Sequence, residues 1–303
     1  MLPSNLLLST LALGACGSSP IVAWDAGDSY VCALDKRGRI RCDDIDLSGR
    51  DEIIDDVPDR GKWTELVVGA RHACALDAEG YPTCWGLIGN EPIADRTPRE
   101  KLFSIGGNSN TACGLKQSDG SILCWGYIGQ YYADELPQGS FQWLETLEAK
   151  VCYQRTSGEI GCTAVSDYTF PNPPVGLYNP VEVDARGTNL CATDKDGRIT
   201  CWGRDTYDVH LPPEGTGYHG LALGQKHGCA LNADNEAVCW GNDTRYGTTK
   251  PPSGRFTSIV SGGFYSCGLR ENGKVECWGC GDDDRFPPDH PKMLRDDEFC
   301  VWD

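Results

Sequence analysis

Short runs of alternating apolar and polar residues recur along the chain, and each closes on a turn of Asp, Asn and Gly. Cys229-Ala-Leu231 and Val238-Cys239 flank the turn Asn232-Ala-Asp-Asn-Glu236. In most other copies a glycine stands in the turn, as at Gly38, Gly80, Gly197 and Gly273. Alternation around such a turn predicts a β-hairpin. A further strand is predicted upstream of each hairpin, from Trp63-x-x-Leu66-x-x-Gly69 and Phe256-x-x-Ile259-x-x-Gly262, with Leu144 and Leu221 at comparable places. Connectors rich in Pro and Gly, such as "LPQG", "LPPEG" and "PPSG", precede that strand. Each unit therefore supplies at least three antiparallel strands and a loop.

The units are periodic. Their first cysteines are Cys32, Cys74, Cys113, Cys152, Cys191, Cys229 and Cys267, spaced by 42, 39, 39, 39, 38 and 38 residues. Their second cysteines are Cys42, Cys84, Cys124, Cys162, Cys201, Cys239 and Cys277, ten residues on, or eleven in the third unit. Cys32 and Cys42 are symmetric about Arg37, as are Leu34 and Ile40. Residues symmetric about a hairpin turn face each other on one side of the sheet, close enough for a disulfide. A unit this small cannot bury a hydrophobic face alone and must stack on its neighbours. All-β units of about 40 residues fit propeller blades. The fold class expected is all-β: a seven-bladed β-propeller of short three- to four-stranded antiparallel blades, one disulfide per blade.

Composition narrows the function. The chain has 303 residues, 40% hydrophobic and 23% charged, with 37 glycines and 2 methionines. Its net charge of −17 repels phosphate backbones, which argues against nucleic acid and favours cationic partners. Seventeen cysteines point to an oxidising compartment. Near the start, "LLLSTLALGAC" reads as a signal peptide, too short to span a membrane. Leu13-Gly14-Ala15-Cys16 resembles a bacterial lipobox, which would make Cys16 the lipid-modified first residue, although "MLPSN" carries no Lys or Arg. An ordinary cleaved signal is the alternative. The division expected is a lipoprotein-type signal over 1–15, a lipidated tether over 16–20 and one propeller domain over 21–303.

"CWG" follows the hairpin at Trp85-Gly86, Trp125-Gly126, Trp202-Gly203, Trp240-Gly241 and Trp278-Gly279, and "H-x-C-A-L" occurs at His72 and His227. With these motifs the chain resembles the regulator of chromosome condensation repeat family; units one and four depart, with "CDD" and "CTA". The resemblance implies a seven-bladed propeller. The units are shorter than the family's eukaryotic repeats and look closer to bacterial relatives, including the propeller-type β-lactamase inhibitory protein. The family's nucleotide exchange on a small GTPase is not expected to transfer.

The cysteine count leaves Cys280 and Cys300, a pair that would tie the C-terminal tail to the last blade. A redox Cys277/Cys280 dithiol is the competing reading and would strand Cys267. Asp282, Asp283 and Asp284 lack the alternating spacing of a calcium loop and read as a solvated acidic loop. At the seam, "IVAWDAG" (21–27) and "FCVWD" (299–303) both fit the first-strand pattern.

Catalytic signatures such as G-x-S-x-G, H-E-x-x-H and the P-loop do not occur in the sequence. His72 and His227 share a repeat position held elsewhere by Tyr30, Thr111, Lys150, Asn189 and Tyr265, which suits packing or edge hydrogen bonding rather than catalysis. Acidic pairs such as Asp43/Asp44 and Asp55/Asp56 read as solvated. The loops after "WG" vary most and are expected to bring Tyr127, Tyr131, Tyr132, Tyr207, His210 and Tyr246 to one rim, as partner anchors or as fillers between blades. The expected protein is a monomeric, lipid-anchored, extracytoplasmic propeller of the bacterial cell envelope, without enzymatic activity, cofactor or metal, that binds a protein partner. An inhibitor of a secreted enzyme and a glycan-binding or glycan-active propeller are the alternatives.

Overall fold

A computed structural model describes residues 20–279, apart from 29, 45–55, 59–60, 109, 148–149, 165–172, 175–176, 178, 204–206 and 243–246. Seven antiparallel sheets follow one another along the chain. The first three hold β1 (Ile21–Ala26), β2 (Tyr30–Asp35) and β3 (Ile40–Asp44); β4 (Trp63–Val68), β5 (His72–Asp77), β6 (Pro82–Ile88) and a short edge strand β7 (Glu91–Pro92); and β8 (Leu102–Asn108), β9 (Thr111–Lys116) and β10 (Ile122–Gly126). The fourth and fifth hold β11 (Phe141–Leu147), β12 (Lys150–Arg155) and β13 (Ile160–Ala164), then β14 (Glu182–Arg186), β15 (Asn189–Thr193) and β16 (Ile199–Gly203). The last two hold β17 (His219–Leu223), β18 (His227–Leu231) and β19 (Ala237–Gly241), then β20 (Ser258–Ser261), β21 (Tyr265–Leu269) and β22 (Val275–Gly279).

The first strands β1, β4, β8, β11, β14, β17 and β20 neighbour one another in that order, and β20 returns to β1. They form the hub of a seven-bladed ring. The middle strands are buried nearly throughout, as in β2, β15, β18 and β21. Each middle-strand cysteine is in register with the third-strand cysteine and bonded to it. The seven bonds are Cys32–Cys42, Cys74–Cys84, Cys113–Cys124, Cys152–Cys162, Cys191–Cys201, Cys229–Cys239 and Cys267–Cys277.

The turn chemistry is local. Asp35 Oδ1 accepts the backbone N–H groups of Arg37 and Arg39, and Asn232 Oδ1 does the same for Asp234 and Glu236. This side-chain bridge fixes the hairpin. The turn ends in a left-handed residue, a glycine in the other blades, as at Gly38 with φ 77°; Asn235 takes the position in blade six with φ 63°. The "CWG" indoles are buried. Trp240 Nε1 donates to Val209 O at 2.8 Å and Trp278 Nε1 to Thr248 O at 3.0 Å. These two tryptophans thus hold the connector that enters their own blade, a packing role.

The ring closes between blades one and seven by side chains. Trp24, Ala26, Val31 and Ala33 share one core cluster with Val260, Tyr265, Leu269 and Val275. Trp24 Nε1 donates to Ser258 Oγ at 3.0 Å. The "IVAWDAG" stretch supplies the hub strand of blade one; "FCVWD" lies outside the described residues.

Candidate functional site: a tyrosine cluster on the rim

After β10 the backbone turns at Gly126 (φ 81°) into one helical turn, α1 (Tyr127–Tyr131). Ile128 is fully buried beside Leu136 and Phe141 and anchors this turn. The Tyr127 N–H donates to Asn110 O, and the Tyr132 N–H to Ile128 O, both at 2.8 Å. Held this way, Tyr127, Tyr131 and Tyr132 gather. Their ring centroids lie 5.1, 5.7 and 6.4 Å apart, with planes inclined by 52–64°. Tyr127 is 40% exposed and Tyr131 61%, while Tyr132 is half-buried against the core. The Tyr132 hydroxyl is pushed up, first by its hydrogen bond with Tyr127, then by burial and by the negative charge of Glu135. Asp134 and Glu135 are exposed in the turn that follows the cluster, and Glu91 and Asp95 are exposed on the segment that Arg96 ties to Gln130. Arg96 bonds to Glu91 and to Gln130 Oε1.

The other expected rim residues do not join this cluster. Tyr207 packs half-buried against the core between blades five and six, with Lys226 Nζ 4.6 Å from its ring centre. It fills space there rather than standing free. His210 is half-buried in the same connector, beside the pinned Val209. Tyr246 lies outside the described residues, as do Cys16, Cys280, Cys300 and Asp282–Asp284.

Inside the ring the structure shows groups that the sequence reading passed over. Asp25, Glu145 and Asp184 occupy one hub-strand position, each in register with the first cysteine of its blade. Two of them bind the next blade: Asp25 Oδ2 accepts the Val68 N–H and Asp184 Oδ2 the Leu223 N–H, both at 2.7 Å. Two residues earlier along the hub strand, Glu65 accepts from Ile105 N–H at 2.9 Å. Burial raises Asp25 and Glu65 to about 7 and Asp184 to about 6. Burial also pushes Glu145 well above the carboxylate range, with the charges of Asp184, Asp25 and Glu65 adding to the effect. A repeat alignment reveals the pattern: these three acids stand seven positions before Cys32, Cys152 and Cys191.

At the rim end of the hub, groups from five blades meet. Arg186 Nη2 of blade five lies 3.5 Å from Asp28 Oδ1 of blade one, and Gln225 Nε2 of blade six donates to the same oxygen at 3.4 Å. Asn108 Nδ2 of blade three donates to Thr146 O at 3.1 Å. The repeat position of Tyr30, His72, His227 and Tyr265 also lies at this end and stitches blades together. Tyr30 Oη donates to Gly69 O at 2.6 Å, and His227 Nε2 stands 2.8 Å from Ser266 Oγ.

On the opposite, hairpin side, a shallow cavity of about 250 Å³ is lined by Val181, Glu182, Lys195, Asp196, Tyr218 and His219, among others. Its Glu182 carboxylate already accepts the Gly220 and Leu221 N–H groups. Among the described residues, no group of three or more His, Cys, Asp or Glu is placed to hold a metal ion.

The pattern of the Regulator of chromosome condensation (RCC1) repeat matches residues 256–284. A serine/threonine-protein kinase-like protein of Arabidopsis thaliana is 31% identical over 68 residues, 22% of this chain and 8% of the kinase-like protein's own length. The ectodomain of a Physcomitrella patens receptor kinase superposes with a TM-score of 0.68 at 22% identity, covering 84% of this chain and 71% of that one. The CRINKLY WD40 ectodomain of an Arabidopsis thaliana receptor kinase gives 0.69 at 21% identity, covering 89% and 98%. At these identities the likeness establishes the propeller fold.

These similarities correct three expectations. The similar proteins are eukaryotic, so the placement in a bacterial family falls, together with the lipoprotein, signal-peptide and secreted labels and the bacterial cell-envelope localisation. The physical reason is that blade length carries no lineage. A unit of about 40 residues is what three short strands, a hairpin and a connector require, and plant receptor ectodomains build a similar ring.

Proposed function

We propose that this chain is a non-enzymatic protein-binding propeller whose blade-three loop, with Tyr127, Tyr131 and Tyr132, is the docking site. The exposed tyrosine cluster on a braced helical turn carries the reading. Tyrosine buries a large amphipathic surface at low entropic cost and is enriched at binding hot spots. The seven disulfides and the inter-blade bonds hold the loop on a rigid frame, which lowers the cost of binding. The hub carboxyls accept backbone N–H groups from the next blade, an architectural use rather than a catalytic pair. The receptor-kinase ectodomains similar in fold support a binding role for such a ring.

The test is photo-cross-linking with p-benzoylphenylalanine at position 131 and, as the opposite-face control, at position 81. The reading expects a protein adduct from 131 whose purified partner loses affinity with Tyr131→Ala. Adducts from position 81 alone would contradict it.

A further inference from the structure

We infer that the Tyr127–Tyr131–Tyr132 cluster receives a lysine or arginine side chain presented by a basic segment of the partner; this rests on the protein-binding reading and adds the partner's chemistry.

The face of an aromatic ring is the negative pole of its quadrupole and attracts a cation within about 6 Å of its centre. Tyr127 and Tyr131 are 40% and 61% exposed, and their mutual tilt of 54° means that the two rings do not form one flat platform. A sugar ring stacks best on a flat platform, so the tilt favours a compact cation. Asp134 and Glu135 are exposed in the turn that directly follows Tyr132, the Glu135 charge acts on the Tyr132 hydroxyl, and the net charge of −17 adds attraction.

The molecule contains its own precedent. Tyr207 stands in the corresponding loop, after the "CWG" of blade five, and there Lys226 Nζ lies 4.6 Å from the ring centre. On the hairpin side, Lys101 Nζ lies 5.0 Å over Tyr81. Near the blade-three cluster, the Arg96 guanidinium is already engaged by Glu91 and Gln130. Among the described residues, no Lys or Arg lies over the rings of this cluster, so its cation is to be supplied by the partner.

The experiment uses the full, oxidised chain and isothermal titration with two dodecapeptides, one of alternating Gly and Lys and one of alternating Gly and Glu. The lysine peptide is expected to bind and the glutamate peptide not. Tyr131→Ala should weaken lysine-peptide binding about 3- to 10-fold, the size of a partly desolvated cation–π contact. Tyr131→Phe, which keeps the ring face, should leave affinity within about twofold, and Tyr81→Ala should leave it unchanged. Near-ultraviolet circular dichroism of each variant checks that the fold is kept. Equal affinity of Tyr131→Ala and the unaltered chain would overturn the inference, because attraction would then be a property of the acidic surface at large. Absence of lysine-peptide binding, or binding of maltoheptaose to the same tyrosines in its place, would also overturn it. The two readings fail separately. A partner cross-linked at 131 that still binds after its Lys and Arg are replaced sinks the cation site and leaves protein binding intact.

Discussion

The Tyr265 hydroxyl of the last blade donates to Tyr30 O at 2.9 Å and to Gly27 O at 3.1 Å, in the first blade. Tyr30 in turn donates across to Gly69 O and His72 O in blade two. One repeat position thus ties blade seven to one and one to two. Tyr265→Phe keeps the ring's packing and removes both bonds. A net loss of about 1 kcal/mol is expected, because the single hydroxyl proton shared by the two carbonyls is lost from a buried seam while Tyr30 O keeps the Gly27 N–H. Urea unfolding followed by tryptophan fluorescence reads it.

The space for these side chains comes from a glycine three residues upstream. A Cβ on Gly69 would stand 2.4 Å from the His72 ring, and one on Gly262 2.1 Å from the Tyr265 ring. Where the upstream residue carries a side chain, as at Asn108 and Arg186, the partner position holds Thr111 and Asn189 instead. Gly69→Ala should therefore destabilise by about 1–3 kcal/mol through overpacking. Combining it with His72→Thr should recover part of the loss, a coupling that a double-mutant cycle measures.

Removing one staple, as in Cys229→Ala with Cys239→Ala, opens a loop of about eleven residues. The entropy model puts the cost at about 2–3 kcal/mol. Scanning calorimetry of this variant, compared with the unaltered chain under oxidising conditions, should show a lower midpoint with one transition retained.

The hub carboxyls set a pH dependence. Asp25 and Glu65 titrate near 7 and Asp184 near 6 in the folded chain, above their ordinary values of 3.8 and 4.5. A raised carboxyl binds its proton more tightly when folded. Its stabilising contribution is complete below the unfolded value and is lost as pH rises through about 6–7. The urea midpoint is expected to be higher at pH 5 than at pH 8. Glu145→Gln removes a buried acid that burial and the neighbouring carboxylates push upward, and should raise stability at alkaline pH and flatten the profile. A midpoint that falls steadily from pH 8 to pH 5 would contradict the assignment.

Much of the architecture was legible from spacing. Cysteines ten residues apart around a Gly or Asn turn reveal hairpin, register and disulfide together, because facing positions on one sheet are symmetric about the turn. Along β4 the buried Leu66 and Val68 alternate, and the register shift between Trp63 and Glu65 brings Trp63, three residues before Leu66, against the same core. The site was only half legible. "YIGQYY" shows tyrosines, but only the burial of Ile128 turns three of them into one cluster. "RDTYDV" looks equivalent, yet the core between blades five and six absorbs Tyr207. The bonds of Arg186 to Asp28 and of Asp25 to Val68 link residues distant in sequence, and no local pattern encodes them. Lineage was misread because a short blade reports geometry and not descent.

The most direct measurement is a ¹³C-tyrosine correlation spectrum of the oxidised chain, titrated with the lysine dodecapeptide and with each tyrosine assigned by single Tyr→Phe replacement. The account predicts that the ring signals of Tyr127, Tyr131 and Tyr132 move together and saturate, while those of Tyr81 and Tyr207 stay in place. Shifts led by Tyr81 or Tyr218 on the hairpin side, or no tyrosine shift at all, would contradict it.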